Sequence, residues 1–180
     1  MTMLKRILNY YKKKNNPVKY YTDVGVSMGK NVDINNSVSF GAEPYLVSIG
    51  DNVRVTGGVQ FVTHDGGVWV IRNLYNEYKD VDIFGRITVG NNVHIGMNAI
   101  VMPGVSIGNN CIIGTGAIVT KDIPDNSVAV GVPARVIETI DEYLEKNMTR
   151  FLHTKLLYGE DKRAAILEAY TNGYVEKNIN

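Results

Sequence analysis

Residues 87–120 read ITVGNNVHIGMNAIVMPGVSIGNNCIIGTGAIVT, and small or apolar residues recur in them every six positions. The first row consists of Ile87, Val93, Ala99, Val105, Cys111, Ala117 and Ile123. A second row, two residues further on, consists of Val89, Ile95, Val101, Ile107, Ile113 and Val119. Turn-forming triplets such as GNN and GTG lie between them. A period of six is too short for a helix and too regular for a hairpin meander.

An earlier part of the chain has the same period in a rougher form. Its repeats begin at Val26, Val32 and Val38, and then at Val47, Val53 and Val59. An apolar residue follows each of them two positions later, with methionine in that place after Val26. The six-residue spacing is interrupted at GAEPYL, residues 41–46, where three extra residues shift the start of the next repeat.

A six-residue repeat with one turn predicts one short strand on each face of a triangular prism. Three faces make a coil of about eighteen residues, and successive coils pair through their backbones. Glycine and asparagine accept the left-handed backbone angles that the corners require. The sequence therefore predicts an all-β solenoid. A flat two-sheet β-helix is the alternative, and it would need a longer period.

Composition restricts the function classes. The 180 residues fit a single domain, 1–180, and 19 basic against 18 acidic side chains give a net charge of +1. Such a balance provides no broad positive field, so no nucleic acid partner is expected. With one cysteine, no signal-peptide pattern and no apolar run of membrane-spanning length, the chain is expected to be soluble and cytoplasmic.

The tail of the repeats carries a resemblance to a known family. Residues 87–137, and most specifically VTKDIPDNSVAVGVPARV at 119–136, resemble the hexapeptide-repeat acyltransferases of the maltose, galactoside and polysaccharide O-acetyltransferase branch. GAEPYLVSIGDNVRV and FVTHDGGVWVI, at 41–55 and 61–71, are similar to the branch that modifies capsular or surface saccharides. The resemblance covers residues 24–137 and implies a left-handed parallel β-helix that assembles as a homotrimer.

The activity that this resemblance implies is acetyl transfer from acetyl-CoA, as co-substrate, to a saccharide hydroxyl, with no metal required. Serine O-acetylation, or acetylation of another small molecule on the same fold, is the alternative. It is less favoured because the chain lacks the large N-terminal helical domain that serine acetyltransferases carry. A zinc-dependent carbonic anhydrase of the same fold would need histidines five apart, and no H-x4-H occurs.

His64 is the candidate general base. It ends the second set of repeats and opens a stretch, 64–86, that is too long for a passive connection. The resemblance places the base of these acetyltransferases at the start of such a loop. An imidazole that titrates near pH 7 is suited to accept the proton of an attacking alcohol. His153, in the tail, is expected to be solvated, and Cys111, at an inward position, to belong to the core.

The imidazole needs an acceptor that orients it, and two carboxylates are candidates. Asp65 is adjacent in sequence, but in an extended strand it would point elsewhere. Glu43, at the three-residue break one coil earlier, is placed to lie beside His64. The sequence leaves this choice open, with Glu43 favoured.

The resemblance also implies a set of coenzyme A contacts. These residues are Met97, Thr115, Thr120, Lys121 and Arg135. Met97 and Thr115 are one coil apart, so their backbones should stack along the pantetheine arm, and Met97 is near the expected oxyanion donor. Lys121 and Arg135 supply cations for phosphate. Met97, Thr115 and Lys121 are expected to lie on one face of the prism, along its later coils.

Three residues are candidates for acceptor binding. The branch commonly has NNVWIG where this chain has NNVHIG, so His94 replaces an aromatic wall. Trp69, in the long loop, offers a replacement surface for a sugar ring, and Asp65 a polar contact. Each of three sites is expected to take His64 from one chain and most coenzyme A contacts from the next.

The two ends of the chain are predicted to be helical. Residues 1–16 form an amphipathic helix that Pro17 stops, with Leu4, Ile7, Leu8 and Tyr11 on its apolar face. This helix docks on the first coil or a neighbouring subunit, or it makes peripheral contact with an anionic membrane surface. Residues 138–180 form two short helices, split at Gly159, that cap the open end of the prism.

Overall fold

The computed structural model describes residues 3–174, without the side chains of residues 4–6. Contacts divide the chain into two compact units, one extending to Ile140 and one beginning at Asp141. The helices are α1 (Met3–Asn15), α2 (Pro17–Asp23), α3 (Val68–Leu74), α4 (Ile140–Asn147) and α5 (Gly159–Thr171).

The strands are short, and all belong to the first unit. They are β1 (Ser27–Met28), β2 (Asp33–Ile34), β3 (Val47–Ile49), β4 (Arg54–Val55), β5 (Gln60–Phe61), β6 (Ile87–Val89), β7 (Val93–Ile95), β8 (Ile100–Val101), β9 (Ser106–Ile107), β10 (Cys111–Ile113), β11 (Ile118–Val119), β12 (Ser127–Gly131) and β13 (Ala134–Thr139).

Three sheets are visited in turn along the chain. Sheet A has the order β1-β3-β6-β9, sheet B the order β13-β12-β10-β7-β4-β2, and sheet C the order β11-β8-β5. Every pairing is parallel except that of β12 with β13. Thr88 pairs with Ser106, Val93 with Cys111 and Ile100 with Ile118, so the predicted repeat of eighteen residues is confirmed in all three sheets.

The core consists of the side chains that point inward from these strands. Both apolar rows of residues 87–123 are buried, and Ile95, Ala99 and Ala117 are 0 % exposed. In the earlier repeats Val26, Val38, Val47, Val53 and Val59 are also buried, whereas Val32 and Met28 are partly buried. Cys111 is a core residue, as expected. Alternation of inward and outward side chains along each strand therefore follows the six-residue pattern.

Asparagine and glycine form the corners, as the triplets predict. Among residues 3–174, six asparagines adopt a positive φ, namely Asn31, Asn52, Asn92, Asn98, Asn110 and Asn126. Asn92 donates its side-chain amide to Asn110 at 2.9 Å, and Asn110 donates to Asn126 at 2.8 Å. Each turn is thus bonded to the turn of the next coil, which helps keep successive coils in register.

The N-terminal segment contains a second helix that the sequence did not predict. Pro17 begins α2 rather than merely ending α1, because proline is favoured at the first helical position and Asn16 caps the helix through Lys19 N at 2.9 Å. Tyr21 of α2 is buried and donates its hydroxyl to Val38 O. Lys13 of α1 donates to the same carbonyl at 3.1 Å.

Helix α1 therefore contacts the first coil, but its predicted apolar face stays open in the single chain. Ile7, Leu8 and Tyr11 are 45–56 % exposed, while the side chain of Leu4 lies outside the described residues. Docking of this face on a neighbouring subunit or on a membrane surface stays a prediction.

The C-terminal end of the repeats differs from the predicted coil. β13 turns back antiparallel on β12 and extends to Thr139, so a hairpin rather than a further hexad ends sheet B. Two helices follow, as predicted, and Gly159 is the first residue of α5. The predicted capping of the prism by residues 138–180 stays a prediction, and residues 175–180 lie outside the described part.

The inward and outward sides of β10 give a test of this packing. Ile113→Ala should lower the free energy of unfolding by about 2–5 kcal/mol, because the residue is 0 % exposed and its removal leaves a cavity. Ile112→Ala, on the outward side of the same strand, should cost about 1 kcal/mol or less. Urea unfolding followed by circular dichroism measures both. Equal losses would contradict the assigned orientation of the strand.

Candidate active site

Two insertions into the eighteen-residue repeat lie at one border of the prism, between sheets C and A. Ser27 pairs with Ser48 and Val47 with Ile87, separations of 21 and 40 residues instead of eighteen. The three extra residues of the first coil lie within 41–46, and those of the second coil form the long loop after His64. Because both insertions follow sheet C in successive coils, Glu43 and His64 come together.

The base of the long loop is fixed by backbone hydrogen bonds. Asp65 N donates to Ile83 O and Gly85 N donates to Thr63 O, both at 2.9 Å, and His64 forms an antiparallel bridge with Phe84. The loop is not irregular throughout, since it contains α3 and a 3-10 turn at Asn76–Tyr78. His64 therefore sits on a paired segment, and its backbone position is well defined.

Glu43, and not Asp65, contacts the imidazole. Glu43 Oε2 lies 2.9 Å from His64 Nδ1, and the same oxygen accepts a 2.6 Å hydrogen bond from Thr63 Oγ1. Asp65 instead accepts from Gly67 N at 2.7 Å, because it turns back onto the backbone of its own loop. Glu43 lies just before the 3-10 turn Pro44–Leu46, and its side chain is 17 % exposed.

Hydrogen bonding keeps the Glu43 carboxyl ionised. The Thr63 hydroxyl, followed by the His64 ring, holds the pKa of Glu43 below its usual value. An ionised carboxylate accepts only, so His64 presents an N–H at Nδ1 and its Nε2 is free to act as a proton acceptor. The side chain of His64 is 45 % exposed, which leaves that nitrogen accessible.

An open pocket of about 350 Å³ surrounds this pair. It is lined by Gly66 and by the side chains of Glu43, His64, Asp65, Val68, Trp69, Arg72, Asp82 and Phe84. Trp69 is 69 % exposed, and Phe84 lies edge-on to the imidazole with ring centroids 6.4 Å apart. Arg72 donates to Val81 O at 2.7 Å and forms an ion pair with Asp82. These contacts hold α3 against residues 81–82, near the end of the loop. The pocket combines aromatic faces with carboxylates.

Several of these residues were not singled out from the sequence. Thr63 lies in the core behind Glu43, whereas Arg72, Asp82 and Phe84 join the pocket because the end of the long loop returns beside its start. The only sequence signal is that residues 82–85 precede the restart of the hexads, which places them opposite residues 63–65.

His94 lies apart from His64 within one chain. It belongs to β7 of sheet B, between Arg54 and Ile112 of the neighbouring strands. Burial and the nearby Arg54 guanidinium lower the pKa of His94, which favours the neutral imidazole. Together with asparagines of the adjacent corner, His94 and Arg54 line a shallow pocket of about 390 Å³.

Four of the five residues expected to contact coenzyme A lie on two borders of the prism, and the fifth lies in a strand of sheet B, so they do not follow one face. Met97 and Thr115 follow sheet B in successive coils, with Gly116 N donating to Met97 O at 2.8 Å. Thr120 and Lys121 follow sheet C, on the same border as His64. Arg135 is in β13 and donates to Ala134 O at 2.8 Å. Sheet C separates the first pair from the second.

The backbone at the first border has free donors. Within the described part of the chain, the N–H groups of Met97 and Thr115 make no backbone hydrogen bond, and both residues are exposed. Two such groups one coil apart suit a ligand that carries amide carbonyls.

Two further findings concern the described residues, 3–174. No three histidine, cysteine, aspartate or glutamate side chains among them are grouped as metal ligands. No helix in this range combines the length and the apolar character that crossing a membrane requires.

Comparisons with known proteins identify the family. The family described as "Bacterial transferase hexapeptide (six repeats)" matches residues 86–121. Protein CapG of Staphylococcus aureus is 52 % identical over 132 residues, 73 % of this chain and 75 % of CapG. Galactoside O-acetyltransferase of Escherichia coli K12 is 39 % identical over 127 residues, 70 % of this chain but only 60 % of that enzyme.

Solved structures agree with this assignment. A galactoside acetyltransferase in complex with coenzyme A has a TM-score of 0.55 at 29 % identity, over 79 % of this chain and 82 % of that one. A hexapeptide-repeat acetyltransferase of Vibrio cholerae in complex with acetyl coenzyme A has a TM-score of 0.58 at 18 % identity, over 73 % and 82 %, and shares the fold. The chain therefore belongs to the hexapeptide-repeat acyltransferases, on the branch that includes CapG and galactoside O-acetyltransferase.

Proposed function

We propose that this chain is an acetyl-CoA-dependent O-acetyltransferase that acts on a saccharide hydroxyl in a component of a surface or capsular polysaccharide. The observation that carries the proposal is the 2.9 Å contact between Glu43 and His64 Nδ1 inside an open pocket. Galactoside O-acetyltransferase, at 39 % identity, supports a saccharide as the substrate class.

The scaffold of the proposal is a left-handed parallel β-helix. Three sheets with an eighteen-residue register and the family assignment support it. In such a scaffold, residues at one corner repeat in line along the axis, which provides a straight groove for an extended co-substrate.

In the proposed reaction, the acceptor hydroxyl attacks the thioester carbonyl carbon of acetyl-CoA directly. Its proton passes to Nε2 of His64 as the new C–O bond forms, and Glu43 stabilises the imidazolium through Nδ1. The C–S bond then breaks, and the proton returns from His64 to the departing thiolate. No covalent enzyme intermediate is needed, and Cys111 is 1 % exposed.

The pocket beside His64 supports a sugar as acceptor. Trp69 presents an exposed ring on which the apolar face of a pyranose can stack, and Asp65 and Asp82 supply acceptors for hydroxyl groups. His94 lies on a different sheet, so a contact from His94 to the acceptor would come from a second chain.

Coenzyme A is proposed to lie along the border formed by Met97 and Thr115. Their unpaired N–H groups are suited to the carbonyls of pantetheine, and the Met97 N–H also to the oxyanion of the transition state. Thr120 and Lys121, on the opposite border and so from the neighbouring chain that supplies His64, and Arg135 are proposed to bind the nucleotide end, where the two cations match phosphate charge.

A homotrimer completes this site. His64 with its loop and the Met97–Thr115 backbone lie on opposite borders of sheet C. α3 and the turn after it leave Leu74, Tyr75 and Tyr78 between 48 % and 67 % exposed, an apolar surface that a second copy would cover. Packing about a threefold axis brings one border of each chain against the other border of its neighbour.

The base is tested by His64→Ala. Turnover should fall about 10²–10⁴-fold, because a positioned base is lost, while the affinity for acetyl-CoA should stay within about twofold. Thiol release from acetyl-CoA with a panel of saccharide acceptors measures turnover. Calorimetry measures the affinity for acetyl-CoA. His153→Ala, in the second unit, is the matched control and should retain activity. More than a tenth of wild-type activity in His64→Ala would exclude this base.

The nucleotide contact is tested with Lys121→Ala and Arg135→Ala. Each should raise KM for acetyl-CoA more than it lowers kcat, since binding to a distant phosphate is lost. The loss should be smaller with acetyl-dephospho-CoA, which has no 3′-phosphate. Lys30→Ala, at another corner, serves as the control. Equal losses with both donors would argue against contact with the 3′-phosphate.

The shared site is tested by subunit mixing. His64→Ala and Thr115→Trp, each inactive alone, should regain about a quarter of wild-type activity at equal mixing, because that share of grooves receives both intact borders. A mixture of His64→Ala with His64→Asn should regain none. Exchange is confirmed by mass. No recovery after confirmed exchange, or an active species that sediments as a monomer, would refute the proposal.

A further inference from the structure

Thr63 is a polar side chain in an inward position of the prism. It follows Val59 and Phe61 in the alternation along β5 and is, like Val59, 0 % exposed. Among the described residues, only Thr63 and Ser127 are buried polar side chains. A hydroxyl without a partner in such a place would be destabilising, so its hydrogen bond explains why it is tolerated.

The partner of Thr63 is Glu43, the residue that contacts His64. Thr63 Oγ1 lies 2.6 Å from Glu43 Oε2, and this oxygen also accepts from His64 Nδ1 at 2.9 Å. Because an ionised carboxylate cannot donate, the hydroxyl is the donor. One carboxylate oxygen is thus held by two donors, one from the core and one from the pocket.

A glycine leaves room for this arrangement. Gly41 has a φ of +67°, and a Cβ atom at this position would lie 2.8 Å from Thr63 Oγ1. A larger residue would therefore displace the hydroxyl as well as strain the backbone. The backbone of the insertion that carries Glu43 thus leaves space for the Thr63 hydroxyl.

We propose that Thr63 is a positioning residue for acetyl transfer, which acts by holding Glu43 in the place where it orients His64. The inference rests on the proposed function. It extends the pair of Glu43 and His64 to three residues in contact, because buried Thr63 bonds to Glu43 and Glu43 bonds to His64.

Two physical effects make the hydroxyl hard to replace. A glutamate side chain has three rotatable bonds, and a short hydrogen bond to its charged end restricts them. Thr63 is 0 % exposed, so water has little access to substitute for it. The Thr63 hydroxyl is also the largest influence that lowers the pKa of Glu43, which keeps the acceptor of the Nδ1 proton ionised.

Thr63→Val, which keeps the shape and removes the donor, is the primary test. With acetyl-CoA and an accepted saccharide, kcat should fall about 10- to 100-fold, the usual effect of losing a hydrogen bond to a charged group. KM for acetyl-CoA should stay within about twofold. Thr63→Ser, which keeps the hydroxyl, should stay within about threefold of wild-type kcat. Ser127→Ala removes the other serine or threonine hydroxyl that is buried among the described residues and should leave activity nearly unchanged.

A role through Glu43 predicts a further result that a purely structural role does not. In a Glu43→Gln background, Thr63→Val should add little further loss, because both changes interrupt the same chain of contacts.

Imidazole nitrogen NMR gives a readout independent of turnover. The Nδ1–H form of neutral His64 should lose population in Thr63→Val and keep it in Thr63→Ser. If valine prevents folding, Thr63→Ala compared with Thr63→Ser isolates the hydroxyl. A variant without the hydroxyl that matches Thr63→Ser in kcat and in tautomer overturns the inference. If wild type transfers acetyl to no acceptor, the proposed function fails, and the tautomer comparison still decides the role of Thr63.

Discussion

Pairing between residues eighteen positions apart is the constraint on which the rest of this structure depends. Strands of two or three residues have too few hydrogen bonds to persist alone, so each needs the coil above and the coil below. The same register stacks the inward side chains into one continuous core and repeats each corner in line. Asn92, Asn110 and Asn126 follow one another at one corner, and Met97 and Thr115 at another. A functional group placed at a corner thus has a defined neighbour one coil away.

The candidate site lies where this register is interrupted. Insertions of 3 and 22 residues, the excess of the 21- and 40-residue separations over eighteen, both follow sheet C in successive coils. The regular stack on either side of them stays intact, so the inserted segments leave the prism from fixed points. Glu43 and His64 meet because the first insertion carries a carboxylate and the second begins with an imidazole. Irregular segments on a rigid scaffold are a common way to build a site without weakening the core.

The chemistry proposed for this site follows from how its polar groups are divided between core and pocket. Thr63 is buried, Glu43 is mostly covered and His64 is half exposed, so the contacts run from a dry interior to an open surface. The buried end fixes the geometry, and the exposed end is free to exchange a proton with a substrate. The unpaired N–H groups of Met97 and Thr115 lie beyond sheet C, which is why the proposed reaction calls for a second chain.

The sequence by itself determined the repeat, both apolar rows of the core, the turn residues and the family. These follow from a period that is read directly from single positions such as Val93 and Ala99. The prominence of His64 at the start of a long insertion was also visible in sequence. Tertiary structure decided the rest, because contacts across coils and loops leave no periodic trace. It placed Glu43 rather than Asp65 at the imidazole, brought Phe84 and Arg72 back beside it, and separated Lys121 from Met97. It also showed the hairpin of β12 and β13, in which the chain turns back and does not continue the six-residue pattern. It likewise showed the helix that begins at Pro17, which depends on local capping by Asn16.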